Sequence, residues 1–111
     1  MDQVKVTDLD LPTLKAGLAD GSILLIDVRE AHEFAAGHIP GSVLMALSQF
    51  DPAEIPRSDK RIVFSCAAGV RSIKALALAQ NAGLDLDEHY RGGFKEWAGM
   101  GEPVDGEQKP G

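Results

Sequence analysis

Short runs of β-branched and aliphatic residues alternate along this chain with stretches of helical spacing, and that alternation restricts the available folds more than any other feature. Residues 4–6, 23–28 and 61–65 are such runs, each bounded by polar or turn-forming residues, and they read as strands. Between the first two, Leu11, Leu14 and Leu18 recur at helical spacing and give one apolar face to a helix that Asp20-Gly21 stops. A second helix is expected over residues 30–36, with Gly37 as a left-handed residue beyond its end and Pro40 barring its continuation. Residues 43–45 read as a short buried strand, and residues 47–50 as a helical turn ahead of the loop carrying Pro52 and Pro56. Residues 70–81 hold the strongest helical pattern, rich in Ala and Leu, with Ile73, Leu76, Ala77 and Gln80 following the helical period until Gly83. Residues 88–91 form the last expected strand, closed by Gly92-Gly93, and residues 94–98 a short helix. This order predicts an α/β fold with a central, mostly parallel sheet covered by helices on both faces.

A chain of 111 residues holds one core, so a single domain is expected over residues 1–104, with 105–111 as a mobile tail. Such a domain buries about two-thirds of its unfolded surface and needs no metal or disulfide staple. With 11 basic against 17 acidic side chains the net charge is −6, which offers no field for gripping phosphate backbones or acidic lipid. Nucleic acid and membrane are therefore not expected partners. The apolar runs fall far short of the ~20 residues a membrane helix needs, and Met1-Asp2-Gln3 lacks a basic, apolar signal, so a soluble cytoplasmic protein is expected. The single cysteine cannot form an internal disulfide, which fits a reducing compartment and draws attention to that thiol.

Cys66 stands where an apolar strand, Ile62-Val63-Phe64-Ser65, passes through Ala67-Ala68-Gly69 into the helix beginning near Val70. In a parallel sheet the crevice beyond the carboxyl ends of the strands is where ligands bind. Small residues at 67, 68 and 69 let the chain curl so that successive N–H groups point inward, and the start of the next helix adds unpaired amides and its positive dipole end. A negative sulfur suits that cradle. The thiol pKa is expected to fall from ~8.5 toward ~3.5–7.5, making Cys66 a nucleophile at neutral pH. Arg71 adds a permanent cation able to tie down loop carbonyls or a neighbouring carboxylate. On residue types alone a second reading stays open, in which Cys66 is a small buried hydrophobe at a strand end.

Four segments in order resemble the rhodanese-type sulfurtransferases, specifically their small single-domain members. They are Leu25-Ile26-Asp27-Val28-Arg29-Glu30 continuing to Glu33-Phe34; Gly37-His38-Ile39-Pro40-Gly41-Ser42; the loop from Cys66 to Arg71 with Ser72; and Gly92-Gly93-Phe94 with Trp97. The resemblance implies a rhodanese-like α/β fold around a parallel five-stranded sheet. It also implies sulfur transfer through a persulfide on Cys66; no cofactor or metal is expected. Cys66 would be catalytic, and Ala67, Ala68, Gly69, Val70 and Arg71 its binding loop, with Ser72 an added donor. Implied partners are a small-molecule or protein persulfide donor, or thiosulfate, and a thiol or cyanide acceptor; a monomer or weak dimer is expected. Two-domain relatives that use thiosulfate bring cations to this loop, whereas Ala67, Ala68 and Glu33 are neutral or acidic here. Weak thiosulfate binding is the corresponding expectation.

The remaining polar residues read as structural. Asp27, Arg29 and Glu30 fall at a strand-to-helix junction and are expected to cap and ion-pair, with Asp27 or Arg29 bracing the cysteine loop or pairing with Arg71. His38 before Ile39-Pro40-Gly41 is expected to bond to backbone. His32 and His89 have no ligand spacing to each other or to Cys66, which argues against a metal site. Gly92-Gly93 marks a tight bend, and Phe94 with Trp97 a packed helix face.

Three rival functions are separable. Cysteine-dependent phosphatases also bind an oxyanion in a Cys-to-Arg loop, but place five residues between the two, whereas Cys66 and Arg71 enclose four. A Cys–His hydrolase would need a histidine that the sequence does not place beside Cys66. A non-catalytic module could bind a partner or sense oxidants through an exposed, low-pKa thiolate.

Overall fold

The computed structural model describes residues 3–106. Five strands, β1 (Thr7–Leu9), β2 (Ile23–Asp27), β3 (Val43–Leu44), β4 (Arg61–Ser65) and β5 (Glu88–Tyr90), form one sheet in the order β1-β5-β4-β2-β3. Every pairing in it is parallel, so "mostly parallel" becomes wholly parallel. The helices are α1 (Leu11–Ala19), α2 (Ala31–Ala36), α3 (Arg71–Asn81) and α4 (Gly93–Gly99), with two 3-10 turns at Leu47–Gln49 and Pro52–Glu54.

Strand alternation divides the core. Leu25 and Val63 face one side, where Leu14 of α1 and Trp97 of α4 cover them together with Leu9 and Tyr90. Ile26 and Phe64 face the other, against Ala75, Leu76 and Ala79 of α3. Both faces are covered, which is why β2 and β4 are continuous apolar runs rather than alternating ones.

The first strand lies three residues beyond the expected run at 4–6. Val4 and Val6 are exposed, whereas Leu9 is buried and Thr7–Leu9 register with Glu88–Tyr90. The strand therefore forms where a side chain enters the core, and Asp10 directly after it caps α1 by accepting from the Thr13 amide at 3.0 Å. Gly37 also departs from expectation: its φ of 177° is extended backbone, and its carbonyl accepts from the Arg29 guanidinium at 2.7 Å. Asp105, assigned to the tail, exchanges backbone hydrogen bonds of 2.8 and 3.0 Å with His38. Residues 1–2 and the rest of the expected tail, 107–111, lie outside the described residues. Among the described residues no helix is long and apolar enough to cross a membrane.

Because all strands run the same way, the segments after β2, β4 and β5 meet at one sheet edge. That edge holds the cysteine loop.

Candidate active site

Cys66 follows the last residue of β4, and its sulfur lies inside the curl leading to α3. The Gly69 amide donates to Sγ at 3.2 Å and the Ser72 amide at 3.3 Å, while Sγ and the Ser72 hydroxyl stand 3.6 Å apart. Gly69 turns the chain with φ +86°, a conformation that L side chains rarely adopt. Burial pushes the Cys66 thiol up, but the Ser72 hydroxyl and the amides of Ser72, Ala68 and Gly69 together hold it below its ordinary value. The direction matches the expectation for a thiol at a helix N-terminus. Cys66 is only 1% exposed, whereas the sensing alternative pictures an exposed thiolate.

The curl is held from outside as well. Its carbonyls at Cys66 and Ala67 accept from the Phe94 and Lys95 amides, at 2.8 and 3.0 Å, at the start of α4. With the carbonyls drawn outward, the amides face the sulfur. Gly93 makes this docking possible: its φ is +67°, and a Cβ there would meet the Ala67 and Cys66 carbonyls at 2.5–2.6 Å. The Gly92-Gly93 bend is thus part of the site's support. Val70, the N-cap of α3, is exposed at the rim.

Arg71 grips a carboxylate, that of Glu33 on α2, at 2.7 and 3.0 Å. Of the two roles expected for Asp27 or Arg29, pairing with Arg71 or bracing the cysteine loop, the first is thereby corrected. Those two bond to each other, at 2.8–3.1 Å in nearly complete burial, because Arg29 sits two residues beyond Asp27 and can fold back onto it. Arg29 also lies over the Phe94 ring, 4.4 Å from its centre, and so supports the α4 start that holds the cysteine loop. Glu33 further accepts from the Glu30 amide at 2.9 Å, tying α2's first turn to the same carboxylate. His38 behaves as expected, its Nδ1 bonding the Phe34 carbonyl at 2.8 Å while its ring stacks on Phe34.

The Arg71 guanidinium lowers the Glu33 carboxyl from its ordinary 4.5 to about 2. A depressed carboxyl stabilises the fold fully above the unfolded value and ceases to do so as pH falls through the folded one. Stability is therefore expected to drop between about pH 4.5 and pH 2 by about 1–2 kcal/mol, allowing for screening of side chains 31% and 27% exposed. Urea melts across that range should show a shallower loss in Glu33→Gln; equal slopes would contradict this assignment.

Two residues of the site were not legible locally. Glu33 is legible in the sequence as an acidic residue but not as Arg71's partner, because the two lie 38 positions apart and meet only in the folded chain. His89, which has no ligand spacing in the sequence, is buried, with Nδ1 2.7 Å from the Ser72 hydroxyl. The available signal was strand alternation, which puts His89 on the sheet face opposite Tyr90.

The family model of the rhodanese-like domain matches residues 10–100. The mouse thiosulfate sulfurtransferase/rhodanese-like domain-containing protein 3 is 40% identical over 99 residues, covering 76% of this chain; the chain spans 63% of that relative's length. The human thiosulfate:glutathione sulfurtransferase is 36% identical over 104 residues, covering 80% of this chain and 90% of the relative. Among solved structures, the human single-domain sulfurtransferase TSTD1 superimposes with a TM-score of 0.70 at 33% identity, covering 88% of this chain and 97% of that one.

Proposed function

This chain belongs to the rhodanese-like domain family, a sulfurtransferase family, and from that premise we propose that it carries sulfane sulfur from a donor to a thiol acceptor as a persulfide on Cys66. The observation that carries the reading is the pair of amides, Gly69 and Ser72, aimed at a buried sulfur whose ionisation they favour. The Cys66 thiolate attacks the outer sulfur of the donor. That sulfur's bond to the rest of the donor breaks, and its electron pair leaves as sulfite when the donor is thiosulfate. The product is Cys66–S–S⁻, held by the loop of Ala67, Ala68, Gly69, Val70 and Arg71. An acceptor thiolate then attacks the outer sulfur, and the electron pair returns to Cys66 Sγ. The name of the human relative supports a small thiol such as glutathione as acceptor.

The Arg71–Glu33 pair bears on donor choice. Thiosulfate is a dianion, and the cation nearest the loop is already neutralised, in a chain whose net charge is −6. A persulfide donor bears at most one charge at its reacting sulfurs and suffers less from this. Weak thiosulfate binding is expected, with KM in the millimolar rather than micromolar range. Glu33→Gln, which frees Arg71, should lower that KM about fivefold, equivalent to about 1 kcal/mol. Steady-state kinetics with thiosulfate and with glutathione persulfide as donors test the reading. A micromolar thiosulfate KM in the unaltered protein would refute the weakness, and phosphate release from an aryl phosphate at a comparable rate would favour a phosphatase instead.

A further inference from the structure

A thiol that is 1% exposed must lose its proton before it can attack, and a bonded path leads from it through the interior to a half-exposed carboxylate. From Sγ the path crosses 3.6 Å to the Ser72 hydroxyl, then 2.7 Å to His89 Nδ1, and from His89 Nε2 another 2.7 Å to Asp8 Oδ1. Ser72 and His89 are fully buried, whereas the Asp8 side chain is about half exposed and lines an open cleft with Ala68 of the cysteine loop, Arg91, Gly92 and Glu96. Three elements distant in sequence, β1, α3 and β5, converge to make this line.

The hydrogens along it are set by counting. Asp8 accepts only, so His89 Nε2 carries a hydrogen. The Ser72 hydroxyl has a single hydrogen. When that hydrogen points to Nδ1, the serine oxygen is left to accept from the Cys66 S–H, and the imidazole is neutral. When it points to the sulfur, it stabilises a thiolate, and its oxygen accepts from a protonated Nδ1. The two arrangements differ by one proton transferred from Sγ to Nδ1, with no change in total charge.

We propose that Ser72 and His89 form a proton relay that ionises Cys66, the thiol proton passing to the Ser72 oxygen as the Ser72 proton passes to His89 Nδ1, with Asp8 holding the resulting imidazolium. His89 and Asp8 are positioning residues that act through Ser72. His89 is faced from β1 by Asp8, from α3 by Ser72, and through Ser72 by Cys66; Arg91 approaches Asp8 at 3.3 Å, and the register neighbour on β4 is Phe64, which brings no charge. The purpose of the relay rests on the sulfur-transfer reading, but its test reads protonation rather than turnover.

In nitrogen-15 NMR of the reduced 111-residue chain at neutral pH, both His89 ring nitrogens are expected to carry hydrogens, and Nδ1 to lose its hydrogen once Cys66 is capped with iodoacetamide or replaced in Cys66→Ala. His32 and His38 serve as references. The pH profile of Cys66 alkylation should move upward by about one unit in His89→Gln and by less in Asp8→Asn, whose substitution lies at the surface. A His89 ring with one hydrogen whatever the state of Cys66, or an alkylation profile unmoved in folded Asp8→Asn and His89→Gln, overturns the relay. Normal sulfur uptake beside an uncoupled His89 would remove the relay and leave sulfur transfer standing; coupled protonation without any sulfur uptake would do the reverse.

Discussion

Cys66→Ser is expected to take up no sulfur, while the unaltered protein gains the mass of one sulfur atom after incubation with thiosulfate or a persulfide donor. The hydroxyl that replaces the thiol has the same reach, but the amides of Gly69 and Ser72 cannot bring an alcohol to its anion near neutral pH. Turnover should fall by about 10³-fold or more, as for loss of a nucleophile that alone forms the covalent intermediate. The fold should survive, because the change is nearly isosteric. Intact-mass spectrometry across several donors reads the result directly. An adduct persisting in Cys66→Ser would place the carrier elsewhere, and no adduct on the unaltered protein from any donor would favour a binding module.

Gly93→Ala should be the most damaging change outside the cysteine. A left-handed φ costs an L-residue about 1–2 kcal/mol, and here the new Cβ would also press against the backbone carbonyls of Cys66 and Ala67. Backbone held by the Phe94 and Lys95 amides cannot yield as a flexible side chain would. The expected loss is about 2–4 kcal/mol, or about 10–20 °C in melting temperature. Because relief would come from pushing the loop carbonyls away, the amides would lose their aim, and activity in the surviving folded fraction should fall about 10²-fold or more. Gly99→Ala, at the end of the same helix with open space around it, is the control and should leave both nearly unchanged. A Gly93→Ala protein as stable and active as this control would show that the α4 docking does not shape the loop.

The two variants mark how far local sequence carries. Cys66 was recognisable because its meaning is contained in neighbouring residues: an apolar strand, three small residues and a helix-forming stretch dictate a curl of amides wherever that segment folds. Gly69 and Ser72 come with it. Gly93 was legible as a bend, since paired glycines mark one, but not as the support for a loop that precedes it by more than twenty residues. Its contact with Ala67 exists because β4 and β5 are neighbours in the sheet and their carboxyl ends meet.

The same division applies to the fold. Continuous apolar runs such as Ile23–Ile26 required a sheet buried on both faces, and helices between them required parallel connections. Strand propensity favours Val4 and Val6, whereas pairing and burial put the first strand at Thr7–Leu9.

What the amino-acid order determined alone was the alternating α/β plan and the nucleophile's surroundings, because both depend on periodicity and on residues within a few positions of one another. Only the tertiary structure decided that Glu33 neutralises Arg71, that Arg29 turns to Asp27, and that Asp8, His89 and Ser72 line up behind the sulfur. These are pairings between side chains brought together by strand order, and a charged or hydrogen-bonding group carries no mark of which distant partner the packed sheet will set beside it.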